Sequence, residues 1–262
     1  MLRLAIYLLI GMFSNGSTKM DNAPVGTMVN KSFKEGEKLS YTINYGFVKA
    51  GTLDMEIKQD LVNVRDKNCY HAVAFGTTTG MTNWFFPVKD TYQTFIDVNT
   101  MVPQRFLRDV KEGKYRKTES VEFNQMTNKA VNNGKDTVQM GANFQDILSA
   151  YYYSRCLDVS TMKEGDAVPI YAYLDASVNP FSLRYAGKQT IETRAGTFRC
   201  LVFKPQVQEG RAFADKEGMT IWISDDLNRI PVMVEAKLAV GSIKMDLAEY
   251  SGVANAMVSK VK

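Results

Sequence analysis

The sequence predicts a mainly β protein: one large curved antiparallel sheet, or an open or closed β-barrel, of about a dozen strands with one main α-helix. Long stretches alternate apolar and polar side chains with a period of two, which is typical of strands with one buried face. Short turns rich in glycine, asparagine and aspartate separate them. One segment has helical spacing instead, and we expect its helix on the concave face or in the mouth of the sheet.

The first residues have the order of a secretory signal peptide. Arg3 precedes an apolar run from Leu4 to Phe13, and the small residues Ser14 and Gly16 follow. Ten apolar residues are too few to span a bilayer, although a buried first element is an alternative. The predicted organisation is a signal peptide over 1–16, a flexible lead-in over 17–32, a single β-rich domain over 33–252 and a short tail over 253–262.

The composition argues against several classes of protein. Lysine and arginine number 32 against 28 acidic residues, a balance too even for nucleic-acid binding. No later segment is apolar over the length of a membrane helix, so we expect no integral membrane span. No phosphate-loop, calcium-loop or dinucleotide motif is present, and we expect no cofactor.

The three cysteines do not have the spacing of a metal site. They are Cys69, Cys156 and Cys200, and an odd number permits at most one disulfide. Cys69 and Cys200 both lie in predicted strands. A bridge between them and two buried free thiols are both open alternatives.

The strongest strand signals lie near the two ends of the domain. Residues 39–47 and 53–57 alternate as a hairpin, and residues 69–75 form a third, well-buried strand. Residues 219–250 predict a meander of strand, polar turn, long strand, glycine turn and strand.

One turn device occurs twice with identical spacing. An aspartate in a turn is followed by a proline that opens a strand, and ten residues later by a glycine where the chain reverses. The two sets are Asp97, Pro103 and Gly113, and Asp225, Pro231 and Gly241.

The predicted helix covers residues 143–158, with Asn143 as its cap and Asp146 in its first turn. Its apolar stripe includes Tyr151 and Tyr152. These tyrosines either fill the core, the favoured interpretation, or line a pocket with their hydroxyl groups towards a ligand.

Three adjacent aromatic residues, Trp84, Phe85 and Phe86, follow a loop rich in glycine and threonine. They either cover a cavity as a lid or plug the end of the sheet. We favour the plug, because large aromatic side chains mostly fill cores.

Catalytic signals are weak. The single histidine, His71, lies within a strand, where a hydrogen-bonded sheet histidine is the favoured interpretation. The adjacent acids Asp225 and Asp226 lie in a turn that favours aspartate for its own backbone hydrogen bonds. An enzyme is therefore the less favoured class, although a carboxylate-based hydrolase is an open alternative.

Several phrases resemble an uncharacterised family of exported bacterial proteins, domain of unknown function 3108. They are FKEGEKLSYTINYGFVKAGTLDMEI, DILSAYYYSR, AGTFRC and IWISDDLNRIPVMVEAKLAVGSIKMDLAEY, within residues 33–250. The resemblance implies a periplasmic protein or one peripherally associated with the cell envelope. The strand and turn pattern is also similar in architecture to periplasmic lipoprotein carriers, which bind acyl chains inside an open β-barrel, although this chain predicts fewer helices.

We therefore expect a non-enzymatic envelope protein that binds an apolar or amphiphilic, lipid-like molecule in a β-sheet cavity. The alternative is a structural or assembly module that binds envelope proteins. The candidate ligand-binding residues are Trp84, Phe85, Phe86, Tyr151, Tyr152 and Trp222.

Overall fold

The structure, a computed structural model, describes residues 26–141, 143–205, 218–238 and 240–261. The predicted signal peptide over 1–16 and the first part of the lead-in lie outside the described residues. The helices are α1 (Gly80–Phe85) and α2 (Ile147–Cys156). The strands are β1 (Lys38–Tyr45), β2 (Val48–Ile57), β3 (Val62–Val64), β4 (Lys67–Thr78), β5 (Val88–Asp97), β6 (Pro103–Glu112), β7 (Tyr115–Asn124), β8 (Lys129–Asn132), β9 (Asp136–Gln139), β10 (Gln145–Asp146), β11 (Ala167–Leu174), β12 (Ser177–Thr193), β13 (Gly196–Pro205), β14 (Met219–Ser224), β15 (Pro231–Lys237), β16 (Ser242–Ser251) and β17 (Lys260–Val261).

These strands form one sheet in a nearly sequential order. From one edge to the other it runs β9, β8, β7, β6, β5, β4, β2, β1, β16, β15, β14, β13, β12, β11 and β10. Every pair is antiparallel except β10 with β11, while β3 and β17 add to β4 and β13. Twelve strands have six or more residues, so the prediction of a mainly β fold with about a dozen strands is confirmed.

Ion pairs join the two sides of the curved sheet where backbone pairing does not. Asp175, in the turn between β11 and β12, pairs with Arg108 of β6 and with Lys117 of β7, the latter at 2.6 Å. These strands are not neighbours in the sheet. Among the described residues, no backbone pairing joins β9 to β10, so the barrel-like sheet is open.

The N-cap of the helix lies three residues later than the sequence predicts. Asp146 is the N-cap and accepts hydrogen bonds from the backbone N–H groups of Leu148 and Ser149, at 2.8 and 2.9 Å. The Ser149 hydroxyl accepts a bond from the Asp146 backbone N–H in return, which completes a capping box. Asn143 is therefore not the cap, because residues 145–146 are extended and pair with β11.

The repeated turn device is confirmed. Pro103 and Pro231 each open a strand, and Gly113 and Gly241 each adopt a positive φ at the next reversal. Both turns also contain a non-glycine residue in the left-handed region two positions before the proline, at residues 101 and 229. The two turns share these features but differ in length by one residue, since the Val102 carbonyl accepts from the Asp97 N–H and the Ile230 carbonyl accepts from the Ser224 N–H.

Both ends of the described chain pack against the domain. The Ser32 hydroxyl donates to the carbonyl of Arg155 at 2.7 Å. Near the other end, the Ser259 hydroxyl donates to Asp226 at 2.5 Å, and β17 pairs with β13. The described part of the predicted tail, residues 253–261, is therefore packed on the domain, because it supplies both backbone and side-chain partners to the sheet.

Candidate functional site

Exposed apolar side chains collect at one end of the sheet. Phe47, in the turn between β1 and β2, is fully exposed. On α1, Met81, Trp84 and Phe85 are 74%, 80% and 69% exposed. The register of β2 with β4 brings this turn and α1 to the same end. We call these four residues the aromatic rim.

The rim is rigidly attached to the sheet. The Phe86 ring lies so close to Gly113 that a Cβ there would be 2.9 Å from it. The Gly113 N–H donates to the Pro87 carbonyl at 2.8 Å, and the Thr79 N–H donates to the Ala50 carbonyl at 3.0 Å. These contacts hold both ends of α1, so its apolar side chains are presented on a fixed scaffold.

The prediction that Trp84, Phe85 and Phe86 plug the sheet is wrong. No residue of α1 is buried, and the Trp84 and Phe85 rings contact each other edge to face, with centroids 4.7 Å apart. The core at this end is already occupied by strand residues such as Leu53 and Val88. The loop aromatics therefore remain outside.

Positive charge surrounds the rim. The neighbouring strand ends carry exposed basic residues. One of them, Lys111, has its charge partly neutralised by the carboxylate of Asp109, which lies 2.7 Å from its Nζ atom. The β15–β16 turn also lies here, because Tyr45 donates a hydrogen bond to the Val240 carbonyl at 2.9 Å. The exposed basic residues are Lys49, Lys89, Lys111, Lys114 and Arg116.

The tyrosines of α2 lie inside the protein. Tyr151 and Tyr152 are 2% and 1% exposed, and the Tyr151 hydroxyl lies 3.2 Å from that of Tyr41. Burial raises the pKa of Tyr151 to about 12. The Tyr152 ring packs edge to face on Phe33, with centroids 4.9 Å apart. The favoured interpretation, core packing, is confirmed for both.

A buried ion pair completes this core. Arg155 of α2 makes two hydrogen bonds to the carboxylate of Glu37, at 2.6 and 2.8 Å, and both side chains are almost fully buried. Its guanidinium also lies over the rings of Phe33, Tyr151 and Tyr152. These side chains fill the space between this part of α2 and the sheet, while a narrow crevice lies at the C-terminal end of the helix.

Trp222 occupies a third location. It lies on β14 between Val202 and Met233 and is 8% exposed. Its indole N–H donates to the side-chain oxygen of Gln189 at 2.8 Å. The predicted site residues thus form three separate groups: Trp84 and Phe85 in the rim with Phe86 next to them, the two tyrosines in the core, and Trp222 in the sheet. Sequence reasoning missed Phe47 and Met81, which the alternating pattern assigns to ordinary strand and loop positions.

No nucleophile with an activating base is apparent among the described residues. The imidazole Nε2 of His71 is 2.9 Å from the Gln93 side-chain oxygen and its ring stacks on Phe95, which confirms the sheet-histidine interpretation. Cys69, Cys156 and Cys200 are free thiols. Burial raises the pKa of each to about 12, so none is poised as a thiolate.

The carboxyl groups with raised pKa values have structural roles. Burial raises the pKa of Asp146 to about 6, against hydrogen bonds from Thr94, Ser149 and Leu148 that lower it. Burial also raises the pKa of Asp246, which accepts a hydrogen bond from Asn44 at 3.1 Å. The adjacent acids Asp225 and Asp226 have separate partners: Asp225 pairs with Lys188, and Asp226 accepts hydrogen bonds from the Ser224 hydroxyl and the Asn228 N–H, as expected for a turn aspartate.

Metal ligands do not cluster in the part of the chain that the structure describes, since no group of three or more histidine, cysteine, aspartate or glutamate side chains could hold an ion there. Neither described helix has the length and apolar character needed to cross a membrane.

One solved structure shares this fold at low sequence identity, and two others align with it more weakly. A β-barrel-like protein of domain of unknown function DUF1849 from Brucella abortus aligns with a TM-score of 0.55 and 10% identity, over 84% of this chain and 99% of that one. A candidate lipoprotein from Parabacteroides distasonis aligns with a TM-score of 0.38 and 13% identity, over 86% and 99% of the two chains. A candidate exported protein with a YmcC-like fold from Bacteroides fragilis gives 0.34 and 12%, over the same shares.

No curated protein matches the sequence with significance. The family model described as "Protein of unknown function (DUF3108)" matches residues 40–248, which include both helices and all or most of every long strand from the first hairpin to the final meander. This protein therefore belongs to the DUF3108 family.

Proposed function

We propose that this chain is an exported cell-envelope protein that binds lipid surfaces through the aromatic rim. The observation that carries the proposal is the exposure of Trp84, Phe85 and Met81 on a short, firmly anchored helix, with Phe47 beside it. Tryptophan and phenylalanine gain free energy where apolar chains meet headgroups. An aqueous environment offers these four side chains no such gain.

The surrounding lysines favour an anionic lipid surface. Each lysine or arginine near such a surface contributes about 1 kcal/mol, and the effect weakens with salt. Lys49, Lys89 and Lys114 are exposed around the rim. Apolar contact and charge attraction therefore act in the same direction.

The proposal places amphiphile binding on the surface instead of in a cavity lined by tyrosines. Tyr151 and Tyr152 are buried against protein groups, and a ligand would have to displace them from a packed core. Trp84, Phe85 and Phe86 are the predicted site residues that a lipid can reach without such a rearrangement.

Vesicle co-sedimentation tests the proposal. The protein should sediment with vesicles containing phosphatidylglycerol, less with pure phosphatidylcholine vesicles, and less again as salt is raised. The fluorescence of Trp84 should shift to shorter wavelength on binding, whereas buried Trp222 should contribute a constant background.

Two variants make the test specific. The double variant Trp84→Ser and Phe85→Ser should lose at least about tenfold in vesicle affinity, because two apolar contacts of more than 1 kcal/mol each disappear. Met126→Ser removes an exposed apolar side chain from the turn between β7 and β8, away from the rim, and should bind like the parent protein. Equal binding by the double variant would contradict the proposal.

A protein partner is the second candidate, because aromatic residues and methionine are also enriched in protein interfaces. The same exposed side chains favour it. If no vesicle binds and envelope proteins cross-link to position 84 but not to position 126, the rim is a protein-binding surface.

A further inference from the structure

A narrow crevice lies between the C-terminal end of α2 and the concave face of β11–β14. It is open to solvent on one side, and its enclosed part has room for little more than one water molecule. The space between its walls is little wider than a water molecule, so a longer ligand must push side chains apart. Its apolar lining consists of Leu157, Val159, Val168, Leu183, Phe203 and Ile223.

Arg229 supplies the charge in this apolar crevice. It lies in the turn between β14 and β15, and its Nη1 atom is buried without a hydrogen-bond partner in the described part of the chain. A buried cationic donor left unpaired costs free energy that a bound anion would recover. Arg155, in contrast, is buried with Glu37 and two backbone carbonyls.

The fold does not require arginine at this position. The equivalent residue of the first copy of the turn is Met101, which adopts the same left-handed backbone conformation, with φ of 58° against 50° for Arg229. Met101 is fully buried in the core. The left-handed position two residues before the proline therefore accepts a neutral side chain, so the backbone conformation does not by itself require arginine at residue 229.

We propose that the crevice binds a single-chain amphiphile with an anionic headgroup, carboxylate or phosphate. The Arg229 guanidinium pairs with the headgroup oxygens through charge-assisted hydrogen bonds, and the first carbons of the chain lie against Leu157 and Val168. Both of these side chains are only partly buried, so they can move aside to admit the chain.

The charges around the crevice do not satisfy Arg229. Asp158 is fully exposed and is held by the backbone N–H and the hydroxyl of Ser160, at 2.9 and 2.6 Å. Lys188 adds positive charge nearby, and Asp225 pairs with it at 2.8 Å. Hydrogen bonds from Ser160 lower the pKa of Asp158, and the charge of Arg229 adds to this effect, but Asp158 makes no hydrogen bond to the Nη1 atom of Arg229. An incoming anion therefore meets two cations, and the Nη1 donor of Arg229 is still open to it.

This site is independent of the rim. Arg229 precedes β15 and the turn at Val240 follows it, so the crevice and the rim lie towards opposite ends of that strand. The Trp84→Ser and Phe85→Ser double variant should therefore keep its affinity for a monomeric amphiphile. Failure of vesicle binding and failure of this proposal are thus distinguishable.

Calorimetric titration of the full chain tests the proposal, with probes kept below their micelle concentrations. Dodecanoate or dodecyl phosphate should bind one molecule per chain, and the tighter of the two identifies the headgroup. Dodecanol should bind at least about tenfold more weakly, as expected for loss of a charged hydrogen bond. Acetate and inorganic phosphate should not bind measurably, because they lack the apolar chain.

Variants locate the binding. Arg229→Gln should weaken the anionic probes about tenfold or more and leave dodecanol unchanged. Arg194→Gln removes the same charge from an exposed position elsewhere and should change nothing. Val168→Trp should fill the crevice and abolish binding of every probe. If Arg229→Gln does not fold, Arg229→Lys and Val168→Trp still decide the question. Equal affinity for dodecanol and dodecanoate, or binding unaffected by Val168→Trp, would overturn the proposal.

Discussion

Arg155 and Glu37 form a bidentate ion pair beneath the helix, with N–O distances of 2.6 and 2.8 Å and almost no exposure of either side chain. They are far apart in the sequence, and the pair joins α2 to the segment that leads into β1. Arg155 also donates to the backbone carbonyls of Ser32 and Asn228, both at 3.0 Å. One side chain thus connects the lead-in, the helix and the turn before β15. Burial by itself lowers the pKa of Arg155, but Glu37 outweighs it and raises the pKa above its ordinary value.

Removing one partner of this pair should be strongly destabilising. Glu37→Gln leaves the Arg155 charge buried without a counter-ion, and the free energy of unfolding should fall by about 3–5 kcal/mol. The control is Glu122→Gln, which breaks the partly exposed pair with Arg105 and should cost at most about 1 kcal/mol. Urea denaturation monitored by circular dichroism measures both. Similar losses of unfolding free energy in the two variants would show that burial does not increase the contribution of the ion pair to stability.

The stability of the protein should depend on the protonation of Asp146. Its folded pKa of about 6 lies above the ordinary aspartate value, so the folded state binds the proton more tightly than the unfolded state. The resulting stabilisation is fully present below about pH 4 and is lost as pH rises through 6, on the order of 3 kcal/mol in total. Asp146→Asn cannot titrate. The difference in unfolding free energy between the parent protein and this variant should therefore fall from pH 4 to pH 7. A difference that stays constant with pH would contradict the raised pKa of Asp146.

The thiols should be unreactive in the folded protein. With pKa values of about 12, roughly one thiol in 10⁴ is ionised at pH 8, against about a quarter for a thiol of ordinary pKa. A colorimetric disulfide reagent should modify the native protein slowly and all three cysteines quickly in denaturant. The intact mass should show no loss of two hydrogens. Fast native labelling of Cys69 or Cys200 would contradict this prediction.

Gly252 should not tolerate a side chain. A Cβ at this position would lie 2.2 Å from the backbone oxygen of Gly36, next to Glu37, and its φ is 64°. Gly134 has a similar φ of 68° but open space around it. Gly134→Ala should therefore cost only the backbone strain, about 1–2 kcal/mol, while Gly252→Ala should cost clearly more, because backbone atoms cannot rotate away. Thermal denaturation compares the two variants, and equal losses would exclude the clash.

The alternating pattern predicts most of this fold because a strand with one buried face must place alternate residues in the core. The hairpin of β1 and β2 and the meander of β14 to β16 follow from this rule alone. The start of α2 does not. Asn143 and Asp146 are both good capping residues, and only the pairing of residues 145–146 with β11 decides between them.

The candidate sites depend on information that no local pattern contains. The three adjacent aromatic residues Trp84, Phe85 and Phe86 are recognisable in the sequence as candidate site residues. Whether their side chains point inward depends on how completely the strand residues fill the core. The strand residues fill it, so the aromatic side chains stay outside. The partners of Arg155 and Glu37 come from distant segments, since only the curvature of the sheet brings them together.

By itself, the sequence determined the fold class, the strands, the repeated turn and the family of this protein. Each of these properties depends on residues that are close together along the chain or on sequence segments that are typical of the family. The tertiary structure alone decided that the tyrosines are buried, that the aromatic rim is exposed and that the Nη1 atom of Arg229 lies without a hydrogen bond beside an apolar crevice. These three outcomes are set by the space left between elements after packing, and that space depends on the whole sheet at once.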